Sequence, residues 1–487
     1  MLISSQRRFG ASTERDIMGR SHTSNKRSAW SKRISSAMHF ILRHDELAAT
    51  LIIAVHLYVD WYLGLAFSAQ LLTLGLLFLL FLRRSSLRPW VKPRALWLWI
   101  LFLVLAIIPA TYNSNLRDSI YYYFNVIFNP LLLFWLGLAV AQDAASVRRL
   151  LKILAFFAAL LAIHTIIEAR TGILLFKTTR YDASIQDLLH FELGNTGIFR
   201  AEAFLLNPDS NGGFFAMMLL LPLGLFIDSS SLREKALYLV EILLMVLALL
   251  FTFSTGAWIA ASVGMLFFIV FAGRMRYRIQ ISLFLLFAAL VIFVGFPSQL
   301  HNLLQHASAP DEWSLRVGVW QTGLRVIQAY PLTGIGLGRY NYIQFAQPYR
   351  VPAQFVPVYH PHNSYLEEAA LGGIPLDLLF IALLTLAFWL AVRNWLRADA
   401  ATRSLLAGGL ASVITLSFYS LSNAGWTLTP LTAIGWLLMG VLASPLLAIN
   451  NRSKLSRGSI DRTPDTPGVG QKARKGEAGV YADRKSE

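Results

Sequence analysis

Apolar runs of roughly 17 to 22 residues recur along this chain, each bounded by charged or turn-forming positions. A run of that length crosses a hydrocarbon core as an α-helix at about 1.5 Å per residue. The runs fall at 48–64, 65–82, 95–112, 120–141, 149–167, 210–227, 237–253, 256–272, 281–296, 370–392, 404–421 and 430–448. This spacing predicts an all-α polytopic membrane protein with about twelve transmembrane helices. The first two runs merge around Trp61 and Gly64, so one long re-entrant element stands there as the alternative to two helices.

Composition agrees with this pattern. Of 487 residues, 55% are hydrophobic and only 14% charged, far from the balance of a soluble globular domain. Lys and Arg supply an orientation, because positive charge in short loops stays on the cytoplasmic side. With twelve spans, one face collects the N-terminal tail, Arg83/Arg84/Arg88/Lys92/Arg94, Arg148/Arg149/Lys152, Arg233/Lys235, Arg274/Arg276/Arg278, Arg393/Arg397/Arg403 and the C-terminal tail. Both termini are therefore expected in the cytoplasm. The same flanks account for most of the net charge of +16, as cations facing anionic headgroups. No nucleic-acid-binding motif accompanies that charge. Residues 1–46 and 449–487 are polar, Ser/Gly-rich tails without an apolar period and are expected to be disordered. No cleavable signal is expected before the first span, and Glu14 and Asp16 speak against an organellar transit peptide. The chain has no cysteine, which excludes disulfides, thiolate metal sites and a Cys nucleophile.

The segments between tails and spans divide into residues 47–296 with nine spans, a large outer loop at 297–369, and residues 370–448 with three spans. A second long outer loop, 168–209, lies within the first block. Connections of that length usually carry function. In the larger loop, Trp313, Val317, Trp320, Leu324 and Ile327 are spaced 4, 3, 4, 3 before Pro331, predicting an amphipathic helix on the outer leaflet or the bundle top. Arg316 borders its apolar stripe, and Arg325 projects to the other side. The glycines of Leu332-Thr333-Gly334-Ile335-Gly336-Leu337-Gly338 follow no strand, so they read as a tight turn and not a nucleotide loop.

His360-Pro361-His362-Asn363-Ser364-Tyr365-Leu366-Glu367 comes next. Ser364 and Glu367 have capping-box spacing, which puts His362 just ahead of a helix N-terminus. The positive helix end disfavours imidazolium there, leaving a neutral ring able to accept a hydroxyl proton. Alternatively, His362 hydrogen-bonds loop backbone, or the two histidines hold adventitious metal. In the smaller loop, Arg200 precedes Asn207-Pro208-Asp209 and either pairs with Glu202 or faces an anion approaching from the lipid.

Pro331 to Gly338, His362 to Leu366 followed by Gly372-Gly373, Phe199-Arg200 with Asn207-Pro208, and Leu315-Arg316 with Trp320 together resemble the O-antigen ligase and polymerase superfamily. The motif resemblance covers roughly residues 190–390 and extends to the whole chain in topology. It implies a GT-C-like bundle in the bacterial inner membrane, whose large periplasmic loop carries short amphipathic helices. The implied enzyme moves a glycan from undecaprenyl diphosphate to an acceptor hydroxyl, without cofactor or metal. By that resemblance His362 is the catalytic residue, and Arg316 and Arg200 bind the diphosphate. His360, Asn363, Tyr359 and Tyr365 are candidate sugar or acceptor contacts. The reading favours an O-antigen ligase with lipid A-core as acceptor. An O-antigen or exopolysaccharide polymerase, extending a growing glycan, is the alternative. Two positions depart from the family pattern: Thr255 stands where members often carry Arg, and Leu376 where ligases carry a small or polar residue.

A secondary transporter is the rival from another class, since His56, Asp60, His164, Glu168, Glu241 and Asp377 lie in or near spans. Transporters of that kind usually show internal repeats, and none is evident between the two halves.

Overall fold

The computed structural model describes residues 44–57, 67–83, 93–111, 115–174, 192, 197–272, 279, 282, 294, 310–351, 360–445 and 447. Expectations for most of both tails, for Trp61 and Gly64, for nearly all of the span at 281–296 and for Tyr359 lie outside these residues.

Described residues form helices α1 (Asp45–Val55), α2 (Ser68–Arg83), α3 (Pro93–Thr111), α4 (Leu116–Val140), α5 (Ala144–Thr171), α6 (Pro208–Asp228), α7 (Leu232–Phe251) and α8 (Thr255–Phe271). After a gap come α9 (Pro310–Ala329), α10 (Arg339–Phe345), α11 (Ser364–Arg397), α12 (Ala400–Tyr419) and α13 (Thr429–Ala443). Among the described residues the only β-pairing is an isolated bridge between Glu192 and Phe199. Helices α1–α8 and α11–α13 overlie runs that the sequence marks as spans. Of them, α4, α5, α6 and α11 are each long and apolar enough to cross a membrane unaided. The chain is an all-α membrane protein, and its surface agrees: Phe81, Leu82, Val104 and Leu378 stand exposed on helix faces where only lipid would suit them.

Local sequence sets the helix ends. Asp143 and Ser146 form a reciprocal capping box at the start of α5, and Gly172 ends that helix with a left-handed φ of 67°. Asn207 caps α6, where Pro208 occupies the first turn and wastes no donor. Helices cross where side chains are smallest. Gly137 of α4 meets the Leu437 carbonyl, and Gly440 of α13 meets the Phe134 carbonyl. Gly224 of α6 lies against Gly408 of α12 in the same way. Between helices in lipid, such close backbone approach is a main source of attraction, because apolar burial gives little there.

Two features shape the end of the bundle that holds the candidate residues. First, α11 is broken at Gly373, whose φ of 82° and ψ of 164° belong to a region open essentially to glycine alone. The break exposes backbone groups, and the turn at 331–337 takes them up. Ile335 and Gly336 donate to the carbonyls of Ala370 and Leu371 at 2.9 Å, and Ile374 donates to Pro331 at 2.8 Å. The alternating glycines therefore serve backbone docking, as a turn reading expects.

Second, α9 forms as the 313–327 pattern predicts but buries a different stripe. Val319, Thr322 and Val326 face inward, whereas Leu324 is 47% exposed. Gly318 and Gly323 explain the rotation: a side without side chains approaches most closely, and Gly323 sits against Pro361.

Candidate functional site

Arg200 leaves the stretch between α5 and α6. Its Nε donates to the Thr252 carbonyl at 3.1 Å, and its Nη2 reaches Asp209 Oδ1 at 3.3 Å. Arg316, from the buried-side edge of α9, donates through Nη1 to the Ser422 carbonyl at 2.7 Å. Its Nη2 stands 3.8 Å from Asp209 Oδ2. Asp209 is held in turn by its backbone carbonyl, which accepts from the Tyr419 hydroxyl at 2.6 Å. One carboxylate thus sits between two guanidinium groups that are more than a hundred positions apart in sequence. No hydrogen bond joins Arg200 to Glu202, whose carboxylate oxygens are both buried without one; burial together with Glu168 pushes this carboxyl up to about 7, against the lowering effect of the Arg200 charge.

His362 stands at the same place. The Arg316 and Asp209 charges both act on its ring, and its carbonyl accepts from Trp320 Nε1 at 3.5 Å. The residue adopts φ 48°, a left-handed conformation uncommon outside glycine. Ala203, Leu206 and Phe253, in the segments that carry Arg200 and its carbonyl partner, are also left-handed. Such strain persists only where surrounding contacts enforce it, and it clusters at functional sites.

The His362 ring is neutral at pH 7, and its pKa is lowered to about 4. Burial contributes most and the Arg316 charge next, with Asp209 and the nearby Asn423 amide pulling the other way. That cause differs from the helix-end effect expected from sequence. The cap differs as well: Asn363, not Ser364, caps α11, its side chain accepting from the N–H groups of Tyr365 and Leu366. Ser364 instead donates through its hydroxyl to the Asn423 carbonyl at 3.3 Å.

Glu367, the other half of the expected capping box, serves elsewhere. Fully buried, it takes a two-point contact from Arg339 at 2.8 and 3.3 Å and a hydrogen bond from the Thr427 hydroxyl at 2.6 Å. His360 Nδ1 lies 3.9 Å from Glu367 Oε2 and accepts the His362 backbone N–H at 3.1 Å. The two imidazoles are 4.4 Å apart between ring centres. Burial and the neighbouring His362 lower the His360 pKa well below the ordinary range. A polar run, Arg339–Glu367–His360–His362, therefore stands behind the base candidate.

Of the residues singled out from sequence, Arg200, Arg316, His360 and His362 come together. Asn363 acts as a helix cap and also donates to the Leu421 carbonyl at 2.9 Å. The Tyr365 hydroxyl turns away to the Ser417 carbonyl at 3.1 Å, and Tyr359 lies outside the described residues. Asp209 and the Arg339–Glu367 pair escaped the sequence reading; the Asn-Pro-Asp segment marked a helix start but gave no sign of what its carboxylate would meet. Among the described residues no cluster of three or more His, Asp or Glu side chains is arranged to hold a metal ion.

Residues 241–381 match a protein family described as O-antigen ligase. The matched stretch runs from α7 to the first part of α11 and includes Arg316 and His362; Arg200 and Asp209 come to it through the fold. No curated protein matches the chain.

Proposed function

Because residues 241–381 match a family described as O-antigen ligase, we propose that the protein is a glycosyltransferase of the bacterial inner membrane with both termini cytoplasmic. In this reading a bundle of about twelve GT-C-like spans carries a periplasmic site. There a glycan passes from undecaprenyl diphosphate to an acceptor hydroxyl, with lipid A-core as the acceptor of a ligase. The observation that carries it is the convergence of Arg200, Arg316 and His362 on Asp209.

The chemistry follows from charge. As the bond between the anomeric carbon and the diphosphate oxygen breaks, negative charge grows on the leaving group. Arginine can hold it through paired donors without losing a proton. Two arginines then supply the stabilisation that a metal would otherwise provide. Asp209 occupies the space between them in the free protein and keeps both forks aimed before the donor arrives. The acceptor oxygen forms the new bond to the anomeric carbon, and its proton passes to a ring nitrogen of His362. A ring lowered to about 4 is a weak base, but part of that lowering comes from Arg316. A bound diphosphate offsets that charge, so the donor itself strengthens the base.

The test is His362→Ala in proteoliposomes supplied with lipid-linked glycan and acceptor. The variant should insert and purify as the parent does and lose transfer by about a hundredfold or more. Transfer at the parental rate would remove His362 from the mechanism.

A further inference from the structure

The segment that carries Arg200 lies outside the helices, yet it is docked on two of them. The Phe199 N–H donates to the Ala169 carbonyl of α5 at 2.9 Å, and the Ala201 N–H donates to the Phe251 carbonyl of α7 at 3.1 Å. Beyond Arg200 the chain turns toward Asn207 and α6 through Ala203, whose φ of 46° is left-handed. A residue with a Cβ keeps that conformation only where contacts enforce it. One side chain meets both N–H groups of the turn. Glu168, in the last turn of α5 and 1% exposed, accepts from Glu202 at 2.8 Å and from Ala203 at 2.9 Å, both through Oε1.

We propose that Glu168 is a positioning residue for the transfer: it holds the Glu202–Ala203 turn and through it aims Arg200 at the donor diphosphate. The proposal rests on the transferase reading above and adds to it what sets the direction of one of its two arginines. Three observations carry it. Helix α5 has its own stop at Gly172, so the Glu168 carboxylate is spent on a different segment of chain. A buried N–H that loses its acceptor destabilises the conformation that buries it, and here two such groups depend on one oxygen, two and three residues past Arg200. Finally, the turn decides which carboxylate Arg200 meets. Its guanidinium reaches Asp209 at 3.3 Å, while Glu202, both oxygens buried without a hydrogen bond, already feels the Arg200 charge. A loosened turn frees Glu202 to compete with Asp209 for the guanidinium and draws the fork away from the diphosphate. Glu168, which a transporter reading would take for part of a pathway, thereby has a role in the transferase.

The experiment is equilibrium binding of farnesyl diphosphate, a short polyprenyl diphosphate, to the full-length protein in detergent, with thermal midpoints measured alongside. Arg200→Ala should bind about tenfold more weakly than the parent, the loss of one charged hydrogen-bond partner. Glu168→Gln keeps an acceptor oxygen at the same reach and drops the charge, so it should bind as the parent does. Glu168→Asp keeps the charge but withdraws the acceptor by one methylene, and should lose about fivefold or more. Combined with Arg200→Ala it should cost nothing further, because its effect runs through Arg200. Glu241→Asp, the same shortening of a buried side chain in α7, should bind as the parent. Ala203→Val strains the same turn from within the chain; it should lose affinity likewise and serves if Glu168→Asp does not fold. Parental binding by Glu168→Asp or Ala203→Val overturns the proposal. So does a loss in Glu168→Gln or Glu241→Asp as large as in Glu168→Asp, or an added loss in the double variant. Parental binding by Arg200→Ala overturns the diphosphate role of Arg200 itself and takes the proposal with it, whereas parental binding by Glu168→Asp leaves that role standing.

Discussion

At the scale of single residues, the site is organised by Asp209. Without it the two guanidinium groups would repel; with it they hold one geometry against which His362 is poised. The lowered His362 pKa has consequences in two directions. For stability, the folded value of about 4 lies below the ordinary 6.5, so the unfolded chain binds the proton more readily. The contribution of this residue is complete above pH 6.5 and declines as pH falls toward 4. For catalysis, the acid limb of kcat/KM for the donor reports the free enzyme, and the limb of kcat reports the loaded one. The first should lie near pH 4. The second should lie about one pH unit higher, because bound diphosphate cancels part of the Arg316 field. Rate profiles across pH 3.5 to 8 test this, and two coincident limbs would show that the donor does not approach Arg316. Arg200, Arg316 and His362 were legible in sequence through the resemblance to the O-antigen ligase and polymerase superfamily, carried by Phe199-Arg200 with Asn207-Pro208, Leu315-Arg316 with Trp320, and His362 to Leu366. Asp209 was not, since its meaning depends on partners 9 and 107 positions away.

The scale of elements explains how the site is held. The break in α11 at Gly373 and the turn at 331–337 support each other: a Cβ on Gly373 would run into the Leu332 carbonyl, and one on Gly334 into that of Leu371. Gly373→Ala should therefore cost about 2 kcal/mol or more, lower the thermal midpoint, and reduce transfer though Gly373 touches no substrate. Gly75→Ala in α2, where a Cβ meets nothing within 4 Å, should be tolerated. Thermal unfolding in detergent separates the two, and equal behaviour would mean that the α11 break is not locked by the turn. Apolar run length made the spans readable, and the 4, 3 spacing made α9 readable. The rotation of α9 and the shift of the cap to Asn363 were hidden for a shared reason. Both depend on what the element packs against: Gly323 against Pro361 in one case, and Ser364 drawn to the Asn423 carbonyl in the other.

For the whole molecule, every proposal about substrate depends on which side of the membrane the site end faces. The basic clusters argue that it faces away from the cytoplasm, and the chain offers a direct test because it contains no cysteine. Helix α7 runs from Leu232 at one end to Phe251, whose carbonyl accepts from Ala201 beside Arg200, at the other. Twenty residues span about 30 Å, so its two ends report the two sides. Gln328→Cys on the exposed surface of α9 and Leu232→Cys, at a position 82% exposed, give one probe for each end. In spheroplasts a membrane-impermeant maleimide should label the first readily and the second only after the membrane is opened. The reverse result would put Arg200, Arg316 and His362 in the cytoplasm and exclude a periplasmic glycan transfer at this site. The experiment is decisive because a lipid-linked donor presents its sugar on one leaflet only. Residues that stabilise its diphosphate must stand at that leaflet, so their side of the membrane is a condition of the mechanism.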